Sequence, residues 1–224
     1  MDSILLIDKP KGITSAKAVA LVKKRFKVKV GHTGTLDPLA TGLLILLTGK
    51  RTKQASTFLH MDKAYQVRAI LGITTTTYDV AGDVVKSCDR PVSREEMELA
   101  LKGFVGELSQ VPPAFSAKKI AGKKAYELAR QGVEVDMPAS KVTAYSLRLL
   151  TYDYPNFTLE CEVSSGFYVR SLVHDLGERL GVGATVEEVR RIRVGAYRIE
   201  DAVTLETLLG EPVPLRSTTI SAQL

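Results

Sequence analysis

The hydrophobic period keeps changing along this chain, and that irregular exchange limits the fold more than any other feature. Residues 3–7 form a short apolar run that ends at KPKG, a buried strand followed by a turn. Ser15 then opens a stretch in which Val19, Val22 and Phe26 share one helical face. The run LLILL at 43–47 is apolar throughout, whereas AYQVRAILGI from Ala64 alternates and puts Tyr65, Val67, Ala69 and Leu71 on one side of a strand. SREE at 93–96 is a capping box opening a helix through Leu101. TVEE at 185–188 reads as a second box and predicts a helix carrying Arg190 and Arg191. Residues 141–150 and 157–163 read as neighbouring strands, and residues 169–180 as a helix stopped by Gly181. Such intermingling, without a βαβ rhythm, predicts an α+β (mixed α/β) domain around a central, largely antiparallel sheet.

A chain of 224 residues with 45% hydrophobic and 25% charged residues can bury a sizeable core as one domain. Its apolar runs are far too short to span a bilayer, and the start MDSILLIDKP lacks a basic signal-peptide head, so the expected location is cytoplasmic, with no membrane partner. Cys88 and Cys161 have no Cys or His neighbour at metal-ligand spacing, and His32, His60 and His174 form no HxxxH pair. Free thiols and no metal site are therefore expected. The net charge of +6 is moderate, but the cations gather in KKRFKVK (23–29), KRTK (50–53), KKIAGKK (118–124) and RRIR (190–193). Each cluster alone reads as a solvated face, while four of them favour a polyanionic partner. In residues 107–136, lysines interleave with Phe115 and Tyr126 beside a Pro-Pro break. This stretch is a basic, partly helical excursion, suited either to RNA phosphates and stacked bases or to a surface hairpin.

Residues 31–42, GHTGTLDPLATG, place one acid, Asp37, in a stretch built to turn. A Walker phosphate loop does not fit, because Leu44 stands where its first glycine belongs and Arg51 where its Ser or Thr belongs. A phosphoaspartate loop needs its acid two residues before TGTL, where this chain has Gly31. Ser171, His174 and Asp175 cluster on one predicted helix rather than forming a hydrolase triad. Pro38 steers Asp37 toward extended geometry, and the flanking glycines allow tight turning and close approach of a ligand. A carboxylate held in this way serves as a nucleophile or general base, although aspartate is also an ordinary turn former. The residues alone leave both roles open.

GHTGTLDPLATGLL resembles the signature of the TruB family of pseudouridine synthases, the bacterial tRNA pseudouridine-55 synthases. The likeness extends through IDKPKGITS (7–15), KAYQVRAILG (63–72), QVPPAFSAKK and GKKAYELARQG (110–132), SSGFYVRSLVHDLGE (164–178) and GATVEEVRRIRVGAY (183–197), in the family's order. It covers nearly all of residues 3–209.

The resemblance implies the pseudouridine synthase fold, a central mixed sheet flanked by helices, as a single catalytic domain over residues 1–224 with a thumb-like, RNA-gripping insertion at about 107–136. It implies that Asp37 is the nucleophilic aspartate, that Tyr65 packs against the target base, and that Arg170 pairs with Asp37. His32 matches the histidine near the flipped-out nucleotide, and Tyr168 a tyrosine of the pocket. Lys9 falls in the IDKP motif and joins the substrate-binding set. Lys118, Lys119, Lys123, Lys124 and Arg130 in the insertion would hold RNA.

The implied reaction converts a T-loop uridine of tRNA to pseudouridine by breaking N1–C1′ and joining C5 to C1′. It exchanges no electrons and so calls for no cofactor and no metal. The insertion argues for a stand-alone monomer acting on the tRNA T-stem-loop, with no guide RNA. Many members of the family continue into a small C-terminal RNA-binding domain, and RSTTISAQL after residue 215 is too short for one. A second reading is a tRNA-binding and refolding module in which catalysis is secondary.

Overall fold

The computed structural model describes residues 2–210 and Val213, apart from 117, 121, 130, 132, 134 and 135. The chain begins with β1 (Ile4–Lys9), α1 (Ser15–Phe26), β2 (Val30–His32), β3 (Thr41–Thr48), α2 (Ala55–Leu59) and β4 (Lys63–Leu71). A hairpin of β5 (Ile73–Thr75) and β6 (Val84–Ser87) follows, then α3 (Arg94–Lys102) and β7 (Gly106–Gln110). The basic excursion holds β8 (Lys119–Ile120), β9 (Lys123–Lys124) and α4 (Ala125–Ala129). The long pair β10 (Ser140–Asp153) and β11 (Asn156–Val163) leads into α5 (Val169–Leu180). The chain closes with β12 (Ala184–Val194), β13 (Tyr197–Arg198), β14 (Val203–Thr204) and α6 (Leu205–Leu209). Together these make a mixed α/β fold built on a large, mostly antiparallel sheet with helices.

Two units divide the chain: one joins the first 65 residues to those from Glu188 onward, the other spans Gln66–Glu187. In the first unit the strand order is β14, β1, β3, β12, with β2 beside β3 and β13 beside β12. β1 and β2 run antiparallel to β3, while β12 runs parallel to it. The LLILL run forms the interior of β3 and is buried on both faces, every residue at 0–1% exposure. Full burial is worth roughly 1.5–3 kcal/mol per such side chain, so this strand anchors the unit. Leu43, Ile45 and Leu47 pack with Phe58 and Val194 on one side.

Thr14 rather than Ser15 caps α1, its hydroxyl accepting from the Lys17 amide. That frees the buried Ser15 hydroxyl for another task, described below. The second unit orders β4, β11, β10 and β7 side by side. Alternation in β4 is as expected: Val67, Ala69 and Leu71 are buried, whereas Gln66 and Arg68 face outward. The Ser93–Glu96 capping box forms in full, with both reciprocal bonds present. Gly181 ends α5 in the left-handed conformation, with φ 74°.

The second predicted box is overturned. TVEE lies inside β12, and Thr185 donates its hydroxyl to Ile73 O instead of capping a helix. Ordered pairing of Arg190 with Thr41 and of Arg191 with Gly42 on β3 stabilises the extended form, and the branched Val186, Val189, Ile192 and Val194 suit it. Tertiary pairing prevails over a four-residue helix signal.

Candidate active site

Asp37 sits on a loop between β2 and β3 that is tied down along its whole length. Thr33 donates its amide to Ile45 O at 3.1 Å. The Ser15 hydroxyl accepts from Leu36 N at 2.8 Å and donates to Leu36 O at 3.0 Å, fixing the residue before Asp37 through both of its peptide groups. Asp37 O accepts from Ala40 N at 3.1 Å, closing a turn with Pro38 at its second position, where a fixed φ is favoured. Pro38 O in turn accepts from Gly12 N at 2.8 Å. The loop is a braced platform, and the half-buried Asp37 side chain is its single carboxylate.

Lys9, expected to join this site, is fully buried. Its ammonium donates to Pro10 O at 2.9 Å and Ile13 O at 2.8 Å. Burial lowers its pKa to about 8, opposed chiefly by the negative charge of Asp37 and reinforced by the cation of Arg191. Those carbonyl bonds make Lys9 a charge embedded behind the loop.

His32 lies on β2, with Nδ1 buried and without a hydrogen-bond partner among the described residues. Burial first, and then the charge of Arg191, push its pKa below the usual imidazole value, favouring the neutral ring. Tyr65 is buried in β4, at 8% exposure.

The other expected residues belong to the second unit. Tyr168 is the N-cap of α5 and is locked by a buried glutamine: Gln110 Oε1 accepts from Tyr168 N at 2.7 Å, and Gln110 Nε2 donates to Tyr168 O at 2.9 Å. Arg170, in the first turn of α5, is 7% exposed. Its guanidinium donates to Thr77 O and to Phe115 O, both at 2.9 Å, and lies 3.5 Å from the Asp79 carboxylate. Asp79 is itself fixed by the Thr77 hydroxyl at 2.6 Å and the Ala81 amide at 3.0 Å. Because Phe115 lies within the basic excursion, Arg170 ties that excursion to α5.

Within the excursion, Lys118 donates to Pro138 O and to the Ser140 hydroxyl, closing its base. Lys119, Lys123 and Lys124 lie on the small β8–β9 hairpin, whereas Arg130 is outside the described residues. The serine of the discarded triad has an ordinary duty, since the Ser171 hydroxyl donates to Val111 O at 2.7 Å. His174 stacks on Tyr78, with ring centroids 3.8 Å apart. Among the described residues no cluster of His, Cys, Asp or Glu could hold a metal ion.

Sequence reasoning missed three residues. Gln110 is a buried polar group whose partner Tyr168 lies 58 residues away, and buried Asp79, fixed by its neighbours Thr77 and Ala81, faces the equally remote Arg170. Arg191 belongs to RRIR, one of the four cation clusters that read as solvated faces, yet it is 3% exposed and donates to a loop carbonyl and a β3 carbonyl. The RRIR cluster is thus no uniform basic face, because Arg190 also pairs with Asp8 at 2.7 Å.

The same architecture occurs in solved structures. One chain of a crystallised Cbf5–Nop10–Gar1 complex superposes with a TM-score of 0.74 at 29% identity, over 92% of this chain and 53% of that one. An H/ACA RNP bound to a substrate RNA containing 2′-deoxyuridine gives a TM-score of 0.70 at 27% identity, over 92% and 52%. The chain spans about half the length of those solved chains.

The model of the TruB family pseudouridylate synthase N-terminal domain matches residues 21–169, and that of the tRNA pseudouridylate synthase B C-terminal domain matches residues 170–218. The chain belongs to the TruB family of pseudouridylate synthases. It is 46% identical over 217 residues to the tRNA pseudouridine synthase B of Aquifex aeolicus (strain VF5), covering 96% of this chain and 76% of that protein. Against the protein of the same name from Chlamydia trachomatis serovar L2, identity is 42% over 214 residues, covering 95% and 88%.

Proposed function

We propose that this protein isomerises the T-loop uridine at position 55 of tRNA to pseudouridine, with Asp37 as the reacting carboxylate. The observation that carries this reading is the braced loop. Bonds from Ser15, Gly12, Ala40 and Ile45 leave Asp37 little conformational freedom, as a group aimed at a reacting centre requires. Relatives named tRNA pseudouridine synthase B, similar over nearly the whole chain, support tRNA as the substrate.

A uridine stacked in a folded loop hides its glycosidic bond, so it must be everted into the protein. His32, a largely neutral and partly buried ring, is suited to occupy the vacated stack. Tyr65 and Tyr168 offer flat faces for the everted base, and Arg170 is the cationic partner assigned to Asp37. Asp37 promotes cleavage of N1–C1′, the freed uracil turns, and C5 bonds to C1′. The proton on C5 is lost to solvent and N1 acquires one, so atoms and charge balance. Lysines of the excursion contribute phosphate contacts, which makes binding salt-dependent.

The test uses tRNA carrying tritium at uridine C5. Wild-type protein should release tritium, and Asp37→Asn should release none while binding the tRNA as before. Normal release by that variant would defeat the assignment.

A further inference from the structure

Arg191 occupies the middle of β12 at 3% exposure. Its Nε donates to Leu43 O at 2.8 Å and one terminal nitrogen donates to Gly34 O at 3.2 Å. Gly34 lies on the loop just before Asp37 and Leu43 lies in β3, which the loop enters, so one guanidinium ties the segment that presents the carboxylate to the strand that follows it. The backbone of the same residue completes the strap. Arg191 pairs with Gly42 in the parallel ladder, and a Cβ on Gly42 would lie 2.3 Å from Arg191 O. Gly42 also has φ +97°, so only glycine allows the two backbones to meet there.

Burying a cation is costly, and a core that needed only bulk would use leucine or methionine at this position. What an arginine adds is a rigid planar fork with several donors, able to reach two carbonyls held apart by the loop. A lysine ammonium is a point charge without that geometry.

We propose that Arg191 is a positioning residue for the reaction, holding the Asp37 loop in its reactive shape by bridging Gly34 O and Leu43 O. The proposal rests on the reading that Asp37 carries the chemistry. Losing the bridge leaves two carbonyls short of a donor and lets the loop shift, and a displacement near 1 Å at a reacting group costs about 100-fold in rate. RNA contacts made elsewhere on the protein are unaffected.

The experiment measures single-turnover tritium release, RNA affinity and thermal midpoint for wild type, Arg191→Met, Arg191→Lys and Asp37→Asn. Expected is a rate loss of about 100-fold in both Arg191 variants, with RNA affinity within about 3-fold of wild type. The Lys variant keeps the charge, so a wild-type rate there would show that charge rather than bridging matters and would overturn the proposal. Wild-type rates in both variants would overturn it as well, as would a loss confined to affinity. Failure of the underlying reading is separately visible as unimpaired turnover by Asp37→Asn.

Should both Arg191 variants fail to fold, amide exchange in the wild-type protein decides. The amides of Thr33, Leu36 and Ala40 should exchange as slowly as those of β3. Exchange at unprotected rates would mean that the loop is not strapped.

Discussion

Two buried arginines, one in each unit, do opposite work. Arg191 projects from an extended strand and reaches one carbonyl of the Asp37 loop and one of β3 beyond it, so it fixes backbone. Arg170 projects from the first turn of α5 and is itself the fixed party, gripped by Thr77 O and Phe115 O and set 3.5 Å from Asp79. Its holders come from two separate turns, whereas the partners of Arg191 lie on the Asp37 loop and on the strand that continues it. A cation meant to stabilise a loop needs donors spread along its fork. One that meets a substrate or a catalytic acid, the role proposed for Arg170, needs to be aimed and held. Burial alone does not distinguish these roles; the origin of the partners does.

The comparison predicts graded effects. The largest is the loss of about 100-fold in single-turnover rate on replacing Arg191, because the whole loop shifts with it. A smaller loss follows Asp79→Asn. The amide keeps an acceptor for the Thr77 hydroxyl and the Ala81 amide but removes the charge facing Arg170, which retains both carbonyl bonds. A rate loss of about 10-fold, near 1.4 kcal/mol, is expected with RNA affinity unchanged. If Asp79→Asn costs more than Arg191→Met, the assigned roles are reversed.

Gln110→Ala removes both bonds to the Tyr168 backbone and should lower folding stability by about 1–3 kcal/mol, read by denaturant titration. No change in stability would mean that the Tyr168 cap is held by other contacts.

A pH dependence follows from Lys9 and Lys63 and is silent at neutral pH. Burial lowers each from the usual lysine value of 10.5 to about 8. Between these limits the unfolded chain binds more protons than the folded one, so stability rises with pH from about 8 toward 10.5. Below about 8 both states carry the proton, and these groups contribute no slope. Thermal melts across that range should show the rise in wild type and its loss in a Lys9→Met, Lys63→Met double variant.

Much of the scaffold was legible where a local signal agreed with its surroundings. The alternation through Val67, Ala69 and Leu71, the Ser93–Glu96 box and the Gly181 stop all depend on nearby residues, and all formed. TVEE misled because its competitor, the β3 edge at Thr41 and Gly42, is remote in sequence. That error also concealed Arg191: on a helix it would have been another surface cation, while on β12 it is buried over the Asp37 loop. The site residues themselves came from family resemblance. Read by chemistry alone, Asp37 stayed divided between turn former and reactive acid, because the bracing by Ser15, Gly12 and Arg191 exists only after folding.

The proposed function gives Asp37 the isomerisation of a uridine at one place in tRNA. The most direct measurement maps pseudouridine, nucleotide by nucleotide, in an unmodified tRNA transcript after incubation with wild-type protein or with Asp37→Asn. Wild-type protein should give a single new pseudouridine at T-loop position 55, and the variant none. Pseudouridine at another position, or equal modification by both proteins, would contradict that function.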